Sequence, residues 1–424
     1  MKKDSYQSPS PSPSTPPSSS LSTSPTPSHF ASVQKLPEDP ILGLSLAFAA
    51  DPRAHKVNLG VGAYRDAEGK PVVFTSVAKA ERILLEKNLN KEYLPIQGNP
   101  EYLSASTALI LGKSLAQKLA EQTFSIQTIG GTGALRLGGE FLAQSKERCI
   151  YIPEPTWPNH KRIFTYAGMT VKTYPYYNAT NRALDFAGLC TAIQHMPAGS
   201  TILLHSSCHN PTGIDPTTEE WHELSALIKK QKIIPFFDLA YPGLGLNLDA
   251  DMNAVRNFVE EGHELFIATS YSKIFGLYGE RIGMLTVISP HKTVPQAIGS
   301  HLKVLARGSY SNPQLHGERI IATILNSELL KQEWEKELTE IRTRIQNMRQ
   351  QLTSSLAGTL PELSQALSLQ RGMFAFTDID QSQLDRLCND YAIYMADSGR
   401  INLAGLNTKN FEYVVQSLIT VLTS

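Results

Sequence analysis

From Leu36 onward, short apolar runs alternate with longer stretches of helical periodicity. Six of the runs predict buried strands: CIYIPEP, TVKTYPYY, STILLHSS, KIIPFFD, ELFIAT and GMLTVIS. Between two of them, TEEWHELSALIKKQ predicts a helix with one apolar face formed by Trp221, Leu224, Leu227 and Ile228. Continuous apolar strands separated by amphipathic helices predict an α/β fold with a mostly parallel sheet that is covered by helices.

One helical pattern in the C-terminal third is much longer than the others. In WEKELTEIRTRIQNMRQQLTSSLAG, apolar residues recur in steps of three and four from Leu338 to Leu356. This spacing predicts one long amphipathic helix that leads out of a large domain. The domains that we expect are a large one at residues 72–334 and a smaller α/β one built from both chain ends, residues 33–71 and 335–424.

Composition and charge narrow the class of protein. The chain has 424 residues, 41% of them hydrophobic, and its formal net charge is zero, which argues against a nucleic-acid partner. No apolar stretch reaches the ~18 residues that span a bilayer, so we expect no membrane insertion. The four cysteines are scattered without a C-x-x-C pair, which favours a reducing, cytoplasmic location over a disulfide framework or zinc ribbon.

The first residues differ from the rest of the chain. Residues 1–32 consist largely of serine, proline and threonine, a composition that cannot bury enough apolar surface to fold. The segment lacks the apolar core of a signal peptide and the arginines of a transit peptide. We therefore expect a disordered tail there.

Three glycine motifs resemble nucleotide-binding signatures only superficially. GKS at residues 112–114 resembles the end of a phosphate loop, but Thr107 occupies the position that requires glycine. GVGAYR and GTGALR begin like dinucleotide fingerprints, yet Arg65 and Arg136 replace the third glycine. None of these motifs therefore indicates a nucleotide site.

His205, Cys208 and His209 have the side chains of a metal site but not its spacing. They lie at the end of an extended run and just before a proline, so their spacing does not place both histidines on one helical face. We expect no metal.

The stretch SYSKIFGLYGERIG places Lys273 directly after a strand, between Ser270 and Arg281. A lysine usually lies on a wet helix surface, so one at the exit of a core strand suggests a reactive amine. Other polar groups also follow strands, at the sheet edge where α/β proteins bind ligands. They are Asp238 and Tyr241 in FFDLAY, Trp157 in EPTWPNH, Asn210 in HNPTG and the turn GGTGALR.

Each of these groups alone is also typical of an ordinary structural role, but together they match the needs of pyridoxal phosphate. Its aldehyde requires a lysine, here Lys273, and its pyridine nitrogen requires a carboxylate, here Asp238. The phosphate requires a glycine turn with hydroxyl groups and an arginine, and the ring requires an aromatic neighbour.

The chain resembles the aspartate aminotransferase family, the class I pyridoxal-phosphate enzymes of fold type I, from about Asp39 to the C-terminus. The motifs that carry the resemblance are VNLGVGAYRD, YLPIQG, GGTGALR, WPNH, CHNPTGIDP, FDLAYPG, SYSKIFGLYGERIG, YSNPQLHG and SGRINLAG. They occur in the order that the family shows.

This resemblance implies a role for each matching residue. Lys273 would carry the cofactor as a Schiff base, and Asp238 and Tyr241 would complete the catalytic set. The implied cofactor contacts are Gly131, Thr132, Trp157, Asn210, Ser270, Arg281 and, from a second subunit, Tyr93. Arg400, near Gly62, would bind the substrate α-carboxylate, and Arg307 of the neighbouring subunit the side-chain carboxylate. The resemblance thus implies a homodimer with shared active sites.

The implied reaction is a ping-pong transfer of an amino group between aspartate or glutamate and 2-oxoglutarate or oxaloacetate. Ala63, Arg65, Pro71 and Glu92 depart from the pattern expected of aspartate enzymes, so aromatic amino acids are the alternative substrates. A lyase or decarboxylase reaction is a lesser alternative. A DNA-binding regulator with this fold is a further one, but the N-terminal segment has no basic helix.

Overall fold

The computed structural model describes residues 28–36, 40–396 and 399–424. The tail predicted at residues 1–32 lies outside the described residues as far as residue 27. Residues 28–36 form exposed turns, in which the Ala31 and Val33 amides donate to the carbonyls of Ser28 and Phe30. Among the described residues, none of the helices combines the length and the hydropathy needed to cross a membrane.

Helices and strands alternate along the remaining chain. The helices are α1 Pro40–Ala50, α2 Thr75–Lys87, α3 Pro100–Leu111, α4 Lys113–Lys118, α5 Gly130–Leu142, α6 Asn159–Tyr166, α7 Phe186–His195, α8 Thr218–Lys230, α9 Leu248–Glu260, α10 Thr293–Ser309, α11 His316–Leu325, α12 Glu328–Leu356, α13 Pro361–Leu369, α14 Gln381–Tyr391 and α15 Phe411–Leu422. The strands are β1 Val57–Asn58, β2 Thr123–Ile129, β3 Cys149–Glu154, β4 Thr170–Pro175, β5 Tyr177–Asn178, β6 Ala183–Leu184, β7 Thr201–His205, β8 Ile234–Leu239, β9 Leu265–Ser270, β10 Ile282–Ile288, β11 Phe374–Phe376, β12 Ile393–Tyr394 and β13 Arg400–Asn402.

The central sheet has seven strands in the order β2-β10-β9-β8-β7-β3-β4. All neighbouring pairs from β9 to β4 are parallel, whereas β10 runs antiparallel to both β9 and β2. Two buried clusters of apolar side chains cover its faces. The predicted α/β fold with a mostly parallel, helix-covered sheet is confirmed.

The sequence pattern does not predict the edge strand β2, because several of its buried side chains are polar. Its sequence TFSIQTI alternates apolar and polar residues, and Ser125 and Gln127 are both inside the protein. The Ser125 hydroxyl lies 2.9 Å from that of Thr286, and the Gln127 amide donates to the Gln314 carbonyl at 2.7 Å. These partners are distant in sequence, so the local pattern does not indicate a core strand.

The long helix α12 covers the predicted apolar repeat from Leu338 to Leu356, begins six residues before the first quoted residue, Trp334, and ends two residues before the last, Gly358. Trp334 donates a hydrogen bond to the Ile274 carbonyl at 2.7 Å and stacks on Phe275 at 4.4 Å. The helix thereby supports the chain directly after Lys273. Elsewhere β1 pairs with β12, which joins the two ends of the chain, while the domain boundaries at residues 71–72 and 334–335 stay a prediction.

Candidate active site

A cavity of about 250 Å³ lies at the carboxyl ends of the central strands. Eleven of the predicted site residues line it: Gly62, Gly131, Thr132, Trp157, Asn210, Asp238, Tyr241, Ser270, Lys273, Arg281 and Arg400. Six further residues that the sequence motifs did not single out for this site also line it: Leu135, His205, Ser207, Ala240, Ser272 and Phe374. Residues separated by more than three hundred positions therefore meet at one site.

Lys273 lies in the turn that follows β9, and its Nζ atom is 5.3 Å from the centre of the Tyr241 ring. Burial, together with the positive charges of Arg281 and Arg400, lowers the pKa of Lys273 to about 8, although the charge of Asp238 opposes this shift. Roughly a tenth of this amine is therefore neutral at pH 7. A neutral amine can attack a carbonyl group and can accept a proton.

Asp238 lies within β8, beside His205 of β7, and not directly after the strand as predicted. Its Oδ2 atom is 3.1 Å from Nε2 of His160, whose Nδ1 atom is 2.8 Å from the Thr156 hydroxyl. Burial alone would raise the pKa of Asp238, but the hydrogen bond from His160, the two nearby imidazoles and Lys273 bring it below its usual value. The carboxylate is therefore ionised and oriented.

His160, His205 and Asp238 lie close enough together to resemble a metal site. The backbone amide of Asn210, however, donates to His205 Nδ1 at 3.1 Å, which places the proton of this neutral imidazole on Nε2. Burial lowers the pKa of His205 to about 3, so the ring stays neutral. Because a ligating nitrogen must be free of its proton, this tautomer disfavours metal binding and leaves Nε2 as a donor beside the cavity.

The first turn of α5 forms a cradle for an anion. A Cβ atom on Gly131 would lie 2.9 Å from Cβ of Ser270, so the close approach requires glycine there. Gly130 has a positive φ of 68°, and a Cβ on it would lie 2.6 Å from an Arg281 guanidinium nitrogen. The helix N-terminus, Thr132, Ser270 and Arg281 together offer the amides, hydroxyls and positive charge that a phosphate needs.

Arg400 also lines the cavity and is almost fully buried. It donates to Asn210 Oδ1 at 3.0 Å and to the Gly60 carbonyl at 2.8 Å, and its guanidinium carbon lies 3.9 Å from the centre of the Phe374 ring. Among the described residues, Nε has no hydrogen-bond partner and the guanidinium has no carboxylate partner. A buried guanidinium in this environment is suited to a carboxylate ligand.

Aromatic and amide groups line the space between Lys273 and Arg400. Tyr241 packs edge-on against Phe374 at 5.7 Å, and the Asn210 amide nitrogen lies 3.5 Å from its hydroxyl. Burial raises the pKa of Tyr241, so its hydroxyl stays protonated and can donate. Trp157 also lines the cavity and meets His160 edge-on at 5.2 Å.

Two predicted residues, Tyr93 and Arg307, are not among the side chains that line this cavity. Both are exposed, Tyr93 to 87%. Asn312 connects the two regions, because it donates to the Leu94 carbonyl at 2.6 Å and accepts from Arg307 at 3.3 Å. Asn312 therefore links the chain beside Tyr93 to Arg307 at the surface of this protein.

Comparisons with known proteins agree on one family. Residues 54–418 match the family model described as aminotransferase class I and II. The chain is 44% identical to aspartate aminotransferase 1 of Medicago sativa over 95% of this chain and 97% of that protein. It is 41% identical to aspartate aminotransferase of Escherichia coli K12, over 93% of this chain and all of that protein.

Solved structures include relatives of two substrate classes. An aromatic-amino-acid aminotransferase of Burkholderia pseudomallei, covalently bound to pyridoxal phosphate, superposes with a TM-score of 0.90 at 39% identity, over 93% of this chain and all of that one. The cytoplasmic aspartate aminotransferase of Saccharomyces cerevisiae also gives 0.90, at 36% identity over 93% and 98% of the two chains.

Proposed function

The chain belongs to the class I and II aminotransferases, and from that premise we propose that it transfers an amino group between aspartate or glutamate and oxaloacetate or 2-oxoglutarate. One observation carries this proposal: Lys273, the ionised Asp238 and the buried Arg400 line a single cavity. A reactive amine can form a Schiff base with the cofactor, and a buried cation can bind the carboxylate of an amino acid.

Pyridoxal phosphate is the cofactor of this reaction, and the residues present fit it. The glycine turn at Gly131, where a Cβ would collide with Ser270, would hold its phosphate, and Asp238 would pair with its ring nitrogen. Lys273 would supply the amine that binds its aldehyde. When bound, the cofactor provides an electron sink for the negative charge that develops at the substrate α-carbon.

Several of the side chains that line the cavity have separate roles in this reaction. Arg400 binds the substrate α-carboxylate through a bidentate pair, and Asn210, already bonded to Arg400, fixes the guanidinium plane. Lys273 accepts the α-proton and returns it later, which its pKa of about 8 permits. Asp238, held by His160, would stabilise a positive charge on the ring nitrogen of the bound cofactor. The same groups serve both half-reactions of a ping-pong cycle.

We also propose a homodimer in which Tyr93 and Arg307 complete the neighbouring subunit's site. Their exposure in a single chain and their shared link through Asn312 support this assignment. Arg307 would bind the side-chain carboxylate of a dicarboxylic substrate. We further propose that residues 33–71 and 335–424 act as a small domain and that the protein works in the cytoplasm, as one relative from Oryza sativa does.

Aromatic amino acids are the second candidate substrates. Solved relatives with that specificity support this alternative. The sequence departures at Ala63, Arg65, Pro71 and Glu92 also motivate it, but none of these residues lines the cavity. The two arginines favour dicarboxylates, because a charge-assisted hydrogen bond contributes ~1.5–3 kcal/mol.

The absorbance spectrum of the purified protein tests the proposal. We expect a visible band that L-aspartate converts to the pyridoxamine form. A band that only L-phenylalanine bleaches would make this an aromatic aminotransferase. If no band forms even after pyridoxal phosphate is added, the assignment of Lys273 is wrong.

A further inference from the structure

A glutamate that none of the sequence motifs singles out is fully buried near the segment that carries Tyr93. Glu318 lies in the first turn of α11 and has no solvent exposure. Its Oε2 atom accepts a hydrogen bond from the Asn99 side-chain amide at 2.9 Å. Its Oε1 atom has no hydrogen-bond partner and lies 3.9 Å from Nε of Arg319. A carboxyl group this poorly compensated is costly to bury, which calls for a functional explanation.

Asn99 connects Glu318 to the chain that presents Tyr93. Its side-chain oxygen caps α3 by accepting from the Glu101 amide at 3.0 Å, while its side-chain nitrogen binds Glu318. It ends the stretch of residues 88–99, which we call the Tyr93 segment. This stretch contains no helix or strand, so individual hydrogen bonds hold it in place. At Gln97 they join it to β2, because the Gln97 side chain donates to the Ser125 carbonyl and the Gln97 carbonyl accepts from the Gln127 amide, both at 2.8 Å.

Two further tethers hold the same segment. Arg319, the neighbour of Glu318, donates to the Asn90 carbonyl at 3.0 Å, and Asn312 donates to the Leu94 carbonyl at 2.6 Å. The first turn of α11 therefore binds the segment near both of its ends. Tyr93, at the middle of the segment, makes no such contact and is 87% exposed.

We propose that Glu318 is a positioning residue which, through Asn99, anchors the Tyr93 segment and so sets how Tyr93 is presented to the neighbouring subunit. The part that concerns the neighbouring subunit rests on the proposed homodimer. The anchoring of the segment within one chain does not.

The anchor depends on pH. Burial, with a contribution from Glu101 of α3, raises the pKa of Glu318 from 4.5 to about 7, although the Asn99 hydrogen bond and the charge of Arg319 oppose this shift. Tyr102 of α3 also faces the carboxyl group of Glu318. The nearby charged side chains on α2 and α12 form ion pairs with other residues: Glu81 of α2 pairs with His316, and Lys79 of α2 pairs with Glu333 of α12.

The sign of the effect follows from linkage. An opening of the segment that brings Glu318 into water returns its pKa toward 4.5, so the open form releases a proton between pH 4.5 and about 7. Opening therefore becomes easier as pH rises through that window and levels off above it. The shift allows an increase in the opening constant of up to about two orders of magnitude.

Amide hydrogen exchange of the holoenzyme tests the anchor directly. We compare protection of residues 88–99 at about pH 5.5 and pH 8, after correction for the intrinsic pH dependence of exchange, with helix α8 as the internal control. Wild type should lose at least about ten-fold protection in the segment between these values. Glu318→Gln, which keeps an acceptor for Asn99 but cannot ionise, should show equal protection at both.

A second variant separates the hydrogen bond from the charge. Glu318→Met fills similar space but leaves the Asn99 donor unpaired, so its segment should be less protected than that of Glu318→Gln at both pH values. The proposal is overturned if wild type and Glu318→Gln show the same pH dependence in the segment, or if Glu318→Met protects it as well as Glu318→Gln does.

The link to the neighbouring site has its own readout. Tyr93→Phe should accelerate dissociation of pyridoxal phosphate, and wild type at pH 8 should lose it faster than Glu318→Gln. If Tyr93→Phe has no effect on dissociation while the exchange results hold, the role of Tyr93 in the shared site is wrong and the anchor stands.

Discussion

His160 Nε2 lies 3.1 Å from Oδ2 of Asp238, and this contact is enclosed by the protein. The imidazole orients the carboxylate and helps to keep its pKa below the usual value, so the carboxylate is ionised at neutral pH. The contact leads to the first prediction.

Replacing Asp238 with Asn removes the charge that keeps the cofactor nitrogen protonated. We expect turnover with L-aspartate to fall by ~10²–10⁴-fold. His160→Gln should cost less, about 10–100-fold, because a hydrogen bond to a charged group contributes ~1.5–3 kcal/mol. Stopped-flow half-reactions measure both, with the exposed His55→Gln as control. Equal rates in His160→Gln and His55→Gln would show that the pair has no catalytic role.

The pKa of Lys273 governs how quickly the cofactor-free protein takes up pyridoxal phosphate. Only the neutral amine attacks an aldehyde, and burial lowers its pKa from 10.5 to about 8. The uptake rate should therefore rise about ten-fold per unit below pH 8 and level off above it. Rapid-mixing absorbance measures this rate, and Lys273→Arg serves as the control without uptake. A rate that still climbs steeply at pH 10 would contradict the lowered pKa.

Arg400→Lys tests the carboxylate site. Lysine lacks the planar fork that reaches Asn210 and Gly60 and cannot stack on Phe374 in the same way. We expect kcat/KM to fall by about 10²-fold for every amino acid, since all carry the α-carboxylate. Steady-state assays with aspartate and phenylalanine decide this, with the exposed Arg371→Lys as control. A loss confined to aspartate would place the α-carboxylate elsewhere.

Gly131→Ala tests the anion cradle. Its Cβ atom would lie 2.9 Å from Cβ of Ser270, so the first turn of α5 must move away from the strand end. We expect the affinity for pyridoxal phosphate to fall by at least about ten-fold while the fold persists. Gly358→Ala is the matched control, because a Cβ there meets nothing within 4 Å. Titration of the cofactor-free variants gives both affinities, and equal values would argue against the cradle.

Mixed dimers test the shared site. Chains with Lys273→Ala and chains with Arg307→Ala should each be nearly inactive on aspartate alone. If Arg307 serves the neighbouring subunit, each hybrid of the two contains one intact site, so random mixing should restore about a quarter of wild-type activity. Assays after mixing, denaturation and refolding measure this recovery. No recovery, with hybrid dimers demonstrated by mass, would assign Arg307 to its own chain.

Much of this protein can be predicted from sequence because its signals are local. The apolar runs of β3, β7 and β9 and the period of α12 reflect burial of neighbouring positions, and the structure confirms them. Lys273 and the glycine turn that begins α5 were also predictable, since each lies in a short motif directly after a strand, where the neighbouring residues in the chain reveal its position.

Other features depend on contacts between distant segments. The partner of Asp238 is His160, 78 positions away, and that of Arg400 is Phe374, which sequence alone presents as an ordinary core residue. The buried polar side chains of β2 are stabilised by tertiary partners, and the burial of Glu318 beside Asn99 likewise follows only from the tertiary structure. Sequence alone determined the chemistry of the site, because residue types and their spacing are local. The tertiary structure decided which groups are charged, oriented and buried, because those properties depend on neighbours brought together by folding.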